Sequence, residues 1–255
     1  MERRMTPCDI CIEEQCEGKF NCNCETCEMQ EECNKQLMPI IRITLKCTQE
    51  CSHCCFECSP KKTKHMTIDT AKDIAAFCKK YEINFINLMG GEFSCNPDWY
   101  EIIKLFNFSI IRLVTNGDFC ESIAKKLADF REFIYLAISR DQWHTNTNVE
   151  RAADLCEKYK LRYKLPIEEQ TSIETIVPIG RSHLSFSGIY SMFGTYCSNP
   201  EHKYSFLINE EGKIYKCPFG IWNFTSIYKD NFLSEFKRVY QLFHNTFISN
   251  CYRCQ

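Results

Sequence analysis

The chain has 255 residues, 44 % of them apolar and 25 % charged, with a formal net charge of −2. That length suits one α/β domain with a smaller appendage, and the near-neutral balance provides no general field for gathering nucleic acid. The opening MERRMTPCDI lacks the roughly 7–15-residue apolar core of a signal peptide, and no run approaches the ~18 apolar residues of a spanning helix. The expected location is therefore the cytoplasm, where the 20 cysteines are thiols or metal ligands rather than disulfides.

Residues 1–39 carry seven of those cysteines. The C-x2-C pairs Cys8/Cys11 and Cys24/Cys27 have the spacing of zinc or iron–sulfur ligands, so a cysteine-rich metal-binding segment is expected, with loose reduced thiols as the alternative. The run IIRITL (40–45) then reads as a strand. TIDTAKDIAAFCKKY (67–81) reads as a helix with Thr67 at its N-cap. NFINLM (84–89), SIIRLV (109–114), FIYLAIS (133–139), RYKLPI (162–167) and ETIVPI (174–179) continue the strands, and helices are expected near 98–107, 120–130 and 148–160. Alternation of this kind implies parallel strands with right-handed crossovers. Six strands fit either an open doubly wound sheet or a partial barrel, and periodicity does not choose. In both, function gathers at the C-terminal strand ends. The short motifs lie there: the loop KCTQECSHCCFEC (46–58) after the first strand, GGE (90–92) after the second, TNG (115–117) after the third and SRD (139–141) after the fourth.

The cysteine loop contains C-x3-C-x2-C in two overlapping registers, Cys47/Cys51/Cys54 and Cys51/Cys55/Cys58. Iron–sulfur clusters of the 4Fe-4S type and structural zinc normally take four protein ligands, so three thiolates leave one metal position open. His53 or Cys55 as a fourth ligand would instead close a zinc site.

Taken in this order, the C-x3-C-x2-C loop, MGGEF, LVTNGDF and ISRDQWH resemble the radical S-adenosylmethionine (radical SAM) enzymes over roughly residues 40–181. The resemblance implies an α/β fold, a partial (β/α)6 TIM-like barrel over residues 40–185. It implies a 4Fe-4S cluster on Cys47, Cys51 and Cys54, with S-adenosylmethionine (SAM) on the open iron and His53 near the adenine. In the second register Glu57 takes the place of His53, and the first ligand lies four residues farther from the strand. Glu92 becomes the acceptor of the methionine amino group, with Gly90 and Gly91 allowing close backbone approach. Thr115, Asn116, Ser139 and Asp141 fall in segments that contact the nucleotide. VPIGR (177–181) resembles the sixth-strand segment, with Arg181 either reaching the SAM carboxylate or in a structural ion pair. Cys55 and Cys58 remain as spare thiols or catalytic candidates. The implied activity is oxygen-sensitive reductive cleavage of SAM to methionine and a 5′-deoxyadenosyl radical, which abstracts hydrogen from a substrate. A reductase, flavodoxin or ferredoxin would donate the electron.

Toward the C-terminus, YSFLINEEGKIYKC reads as a hairpin turning at Asn209 to Gly212. The spacing C-x14-G-x4-C from Cys197 to Cys217 resembles the SPASM and twitch extensions of radical SAM maturases. That resemblance implies a small iron–sulfur module over residues 186–255, with a second, auxiliary 4Fe-4S cluster on Cys197, Cys217, Cys251 and Cys254. A zinc ribbon of the same four thiols is the alternative. FLSEFKRVYQLF (232–243) reads as an amphipathic helix against the barrel. Such extensions imply a peptide or protein substrate, modified by thioether crosslinking, epimerisation or oxidation. The alternatives are a nucleotide, sugar or cofactor precursor as substrate, or a non-catalytic iron–sulfur or zinc scaffold. A third cluster or zinc would sit at the N-terminus.

Overall fold

The computed structural model describes residues 37–139, 144, 148–165, 205–216 and 223–236. Strand β1 (Met38–Arg42) is followed by helix α1 (Ile68–Lys80), whose first turn is capped as expected: the Thr67 hydroxyl accepts the Thr70 amide at 3.1 Å. Then come β2 (Phe85–Met89), α2 (Trp99–Leu105), β3 (Ile110–Thr115), α3 (Glu121–Leu127), β4 (Ile134–Ile138), α4 (Val149–Lys158) and a two-residue β5 (Tyr163–Lys164). A 3-10 turn, Ala128–Phe130, extends α3. Each of the first four expected strands and each expected helix is present, with ends shifted by up to three residues. The expected strand 174–179 lies outside the described residues.

Three further strands follow, β6 (Ser205–Ile208), β7 (Lys213–Tyr215) and β8 (Asn223–Ser226), and among the described residues the sheet is open, with order β5-β4-β3-β2-β1-β6-β7-β8. Strands β1 to β5 pair in parallel, as the alternation of elements requires. The expected hairpin forms from β6 and β7, and β8 adds to β7 antiparallel. Its first strand does more than turn back. β6 pairs in parallel with β1, Ile41 opposite Ile208, so the hairpin continues the main sheet. All four β6 residues are buried, which suits a strand covered on both faces.

Alternation along the strands separates two faces. Ile41, Ile86, Leu88, Ile111, Leu113, Ile134, Leu136 and Ile138 join Ile74, Cys78, Ile102, Ile103, Leu127 and Cys156 from the helices in one apolar core. The residues between them, among them Arg42, Met89 and Val114, face the other way. An aromatic cluster fastens the C-terminal strands to α1. Phe232 is fully buried among Phe77, Tyr81, Phe206, Phe224 and Phe236, with ring centroids 4.9 to 6.4 Å away. Phe232 and Phe236 lie in helix 232–236, the described part of the helix expected over 232–243. No helix among the described residues is long and apolar enough to cross a membrane.

Candidate active site

Beyond β1 the chain stays extended and is held from both sides. On one side Ile43 N donates to Met89 O (2.8 Å), Gly91 N to Thr44 O (2.9 Å) and Glu92 N to Lys46 O (3.0 Å). On the other, Met66 N donates to Ile43 O (2.8 Å) and Cys47 N to Ser59 O (3.1 Å), which closes the base of the cysteine loop. Gly90 and Gly91 do allow a close approach, but to this segment. A Cβ on Gly91 would stand 2.3 Å from Lys46 O, and one on Gly90 2.7 Å from Thr44 Cγ2.

The loop and the neighbouring strand ends enclose a cavity of about 270 Å³. All five loop cysteines line it, with His53, Phe56, Met89, Gly90, Gly91, Val114, Thr115, Asn116, Ser139 and His144. The structure thus brings together the cysteine loop, the glycine pair, the TNG strand end and Ser139. Cys55 and Cys58 belong to the same cavity. Asp141, Arg181, Cys197, Cys217, Cys251, Cys254, Cys8, Cys11, Cys24 and Cys27 lie outside the described residues.

Glu92 takes a different place from the one its motif suggested. It is fully buried and does not line the cavity. Its two carboxylate oxygens are occupied, Oε1 accepting from the Thr115 hydroxyl (2.8 Å) and Oε2 from Asn116 N (2.9 Å). Burial pushes this carboxyl up to about 8, against hydrogen bonds from Asn116, Thr115 and Ser94 that lower it. Glu92 therefore ties the second strand end to the third.

The thiols differ in their surroundings. Cys47 is buried, and desolvation pushes it up to about 12. Asn116 Nδ2 points at its sulfur from 3.6 Å. The Cys51 thiol donates to Gln49 Oε1 (3.3 Å). Cys54 Sγ accepts the backbone amide of Cys58 (3.3 Å), and the bond between these two thiols, with burial, pushes Cys58 well up. No disulfide joins any described cysteine. Among the described residues, no group of three or more His, Cys, Asp or Glu side chains is gathered as the ligands of a single metal ion.

Three contacts of the loop were not foreseen. His144, from the DQWH stretch, stands edge-on to His53 with ring centroids 4.8 Å apart. The Arg42 guanidinium lies 4.7 Å over the Phe56 ring, and its Nε donates to the buried Glu210 carboxylate (2.9 Å) on the β6–β7 turn. Asn116 reaches the first loop residues, as above. Position alone could have flagged Met89, the last residue of β2, and Val114, next to last in β3, because both lie at the C-terminal end of a parallel strand.

Residues 41–163, from β1 to β5, match the family described as the Radical SAM superfamily. This domain belongs to that superfamily. A curated relative, YydG of Bacillus subtilis (strain 168), named for peptide biosynthesis, is 31 % identical over 114 residues. That match covers 41 % of this chain and 35 % of YydG, so it spans about a third of the relative's length. Among solved structures, BtrN in complex with AdoMet and 2-DOIA superposes with a TM-score of 0.59 at 13 % identity, over 84 % of this chain and 88 % of BtrN. anSMEcpe with bound AdoMet and the Cp18Cys peptide gives 0.52 at 17 % identity, over 79 % and 80 %. At such identities the likeness concerns the fold, and it places the open sheet of this radical SAM domain among partial TIM-like barrels.

Proposed function

We propose that this chain is a radical SAM enzyme that modifies a ribosomally made peptide or protein. The observation that carries the reading is one juxtaposition: Cys47, Cys51 and Cys54 share a cavity with the ends of the second, third and fourth strands. The donor set fits a 4Fe-4S cluster. Three thiols spread around a cavity suit separate iron corners, which need their thiolates farther apart than the ligands of one ion do. When bound, the reduced cluster supplies the electron that breaks a carbon–sulfur bond of SAM, yielding a 5′-deoxyadenosyl radical that takes a hydrogen atom from the substrate.

The chain's own residues bind, orient and shield. Cys47, Cys51 and Cys54 would hold three irons and leave the fourth for SAM. The cavity walls at Gly90, Gly91, Thr115 and Ser139 would receive the cofactor, and His53, which lines the same cavity, would be the residue near the adenine. Glu92 fixes these walls from behind rather than touching the methionyl group. Phe56, Met89 and Val114 give the space an apolar lining that discourages water. The name of YydG and the peptide bound to anSMEcpe support a peptide substrate.

The same reading assigns Cys197, Cys217, Cys251 and Cys254 to an auxiliary cluster, and Cys8, Cys11, Cys24 and Cys27 to a further cluster or zinc. Anaerobically reconstituted, reduced protein should convert SAM to 5′-deoxyadenosine, and the Cys47/Cys51/Cys54→Ala variant should not. A wild type that makes none with its iron in place sinks the proposal. Iron should reach about eight per chain for two 4Fe-4S clusters, and about twelve with an N-terminal one.

A further inference from the structure

Asn116 is the residue at which the cysteine loop, GGE and TNG meet. Its backbone N–H donates to Glu92 Oε2 (2.9 Å), and its Oδ1 accepts from Asp118 N (2.8 Å). Its Nδ2 donates to Thr48 Oγ1 (3.2 Å) and to Cys47 Sγ (3.6 Å), the longer distance reflecting the larger radius of sulfur. The bond from Asp118 N decides the orientation of the amide: the end it reaches is the carbonyl oxygen, so the end facing Cys47 is the NH2 group. One hydrogen of that group goes to the sulfur of residue 47 and the other to the hydroxyl of residue 48. The side chain is thus anchored at both ends, and the residue is only 6 % exposed.

Donation to a thiolate sulfur favours the more negatively charged state of whatever the thiolate binds. Hydrogen bonds to ligand sulfurs are one of the terms that set an iron–sulfur reduction potential. We propose that Asn116 is a positioning residue for the cluster: its Nδ2–H donates to the Cys47 ligand sulfur, fixes that thiolate at the cavity wall and raises the reduction potential of the cluster. Glu92 acts one step behind. Its carboxylate holds the Asn116 amide and the Thr115 hydroxyl, which accounts for an acidic side chain sealed away from the cavity. The inference rests on Cys47 being a cluster ligand.

The test titrates, by electron paramagnetic resonance under anaerobic conditions, the reduced-cluster signal that disappears in Cys47→Ala. It compares wild type, Asn116→Leu and Asn116→Asp. Asn116→Asp keeps an acceptor for Asp118 N while replacing the donor by an oxygen. Asn116→Leu removes the donor without adding charge. Both should shift the potential below that of wild type, Asn116→Asp further, and far-UV circular dichroism should show both folded. Loss of the signal's iron from a folded variant equally supports a holding role. Should either variant fail to fold, Thr48→Val releases one anchor of the amide and should give a smaller shift of the same sign. Potentials equal to wild type with full iron content overturn the proposal. A wild type without any signal dependent on Cys47 removes the underlying cluster assignment itself.

Discussion

An alanine at position 91 would put a methyl carbon 2.3 Å from Lys46 O, 2.7 Å from Lys46 C and 2.8 Å from Cys47 Cβ. Two of these three atoms are backbone, so no rotamer change relieves the contact. The segment 44–47 has to move away, and with it go the bonds Gly91 N to Thr44 O and Glu92 N to Lys46 O. Losing two such bonds costs about 2 kcal/mol at about 1 kcal/mol each. Overpacking adds about 1–3 kcal/mol, so Gly91→Ala should destabilise the fold by about 3–5 kcal/mol. Gly117→Ala is the control. Its φ of +79° strains an L-residue by about 1–2 kcal/mol, but a Cβ there meets side-chain atoms at 3.2 and 3.3 Å, which can give slightly. Urea unfolding followed by circular dichroism compares the two. A Gly91→Ala variant within about 1 kcal/mol of wild type, or less harmed than Gly117→Ala, would refute the packing argument.

Glu92→Ala leaves the Thr115 hydroxyl and the Asn116 amide buried without their acceptor, a loss of about 2–6 kcal/mol at about 1–3 per orphaned donor, which the same urea assay reads. Because the folded Glu92 keeps its proton to about 8 while the unfolded one ionises near 4.5, stability should fall as pH rises between those values. A flat pH–stability slope in Glu92→Gln, where wild type is sloped, is the expected signature. Phe232→Ala should cost about 3–5 kcal/mol, since it hollows the aromatic cluster that fastens the C-terminal strands, and the near-ultraviolet dichroism should weaken with it. Lys64 and Lys213 hold the Glu211 carboxyl down to about 2. That stabilisation is present above about 4.5 and should be lost as pH falls toward about 2, by a small amount that salt reduces further. Glu211→Gln should remove the loss.

The strands that carry the site were legible because each is a short, mostly apolar run, ended by a motif with its own chemistry. Thr67 and the apolar spacing behind it likewise announced α1. The partner of SFLI was not legible. Four buried residues in a row indicate a strand covered on both faces, but nothing local says that its neighbour is β1, far back in the chain. NFTS, at 223–226, is short and polar and carries no strand signal of its own. The resemblance of MGGEF to the radical SAM motif implies a ligand-facing acid at Glu92. What captures it are two donors on β3 and just beyond, and the pairing register that brings them opposite is a tertiary fact. The five loop thiols show the same limit: spacing gives two registers, and the distinguishing feature of Cys47, an amide from the residue just beyond β3, is invisible in the loop itself.

The parallel pairing of β1 with β6 also has a meaning in time. Arg42, on β1, and its partner Glu210, on the turn after β6, are 168 residues apart. At about 5–20 residues per second, a ribosome needs roughly 10–30 s to make that interval. For that period β1 has no second neighbour, and the five-thiol loop it carries hangs from an unfinished edge. The interior strand of the finished sheet is thus an outer strand while the protein is being made.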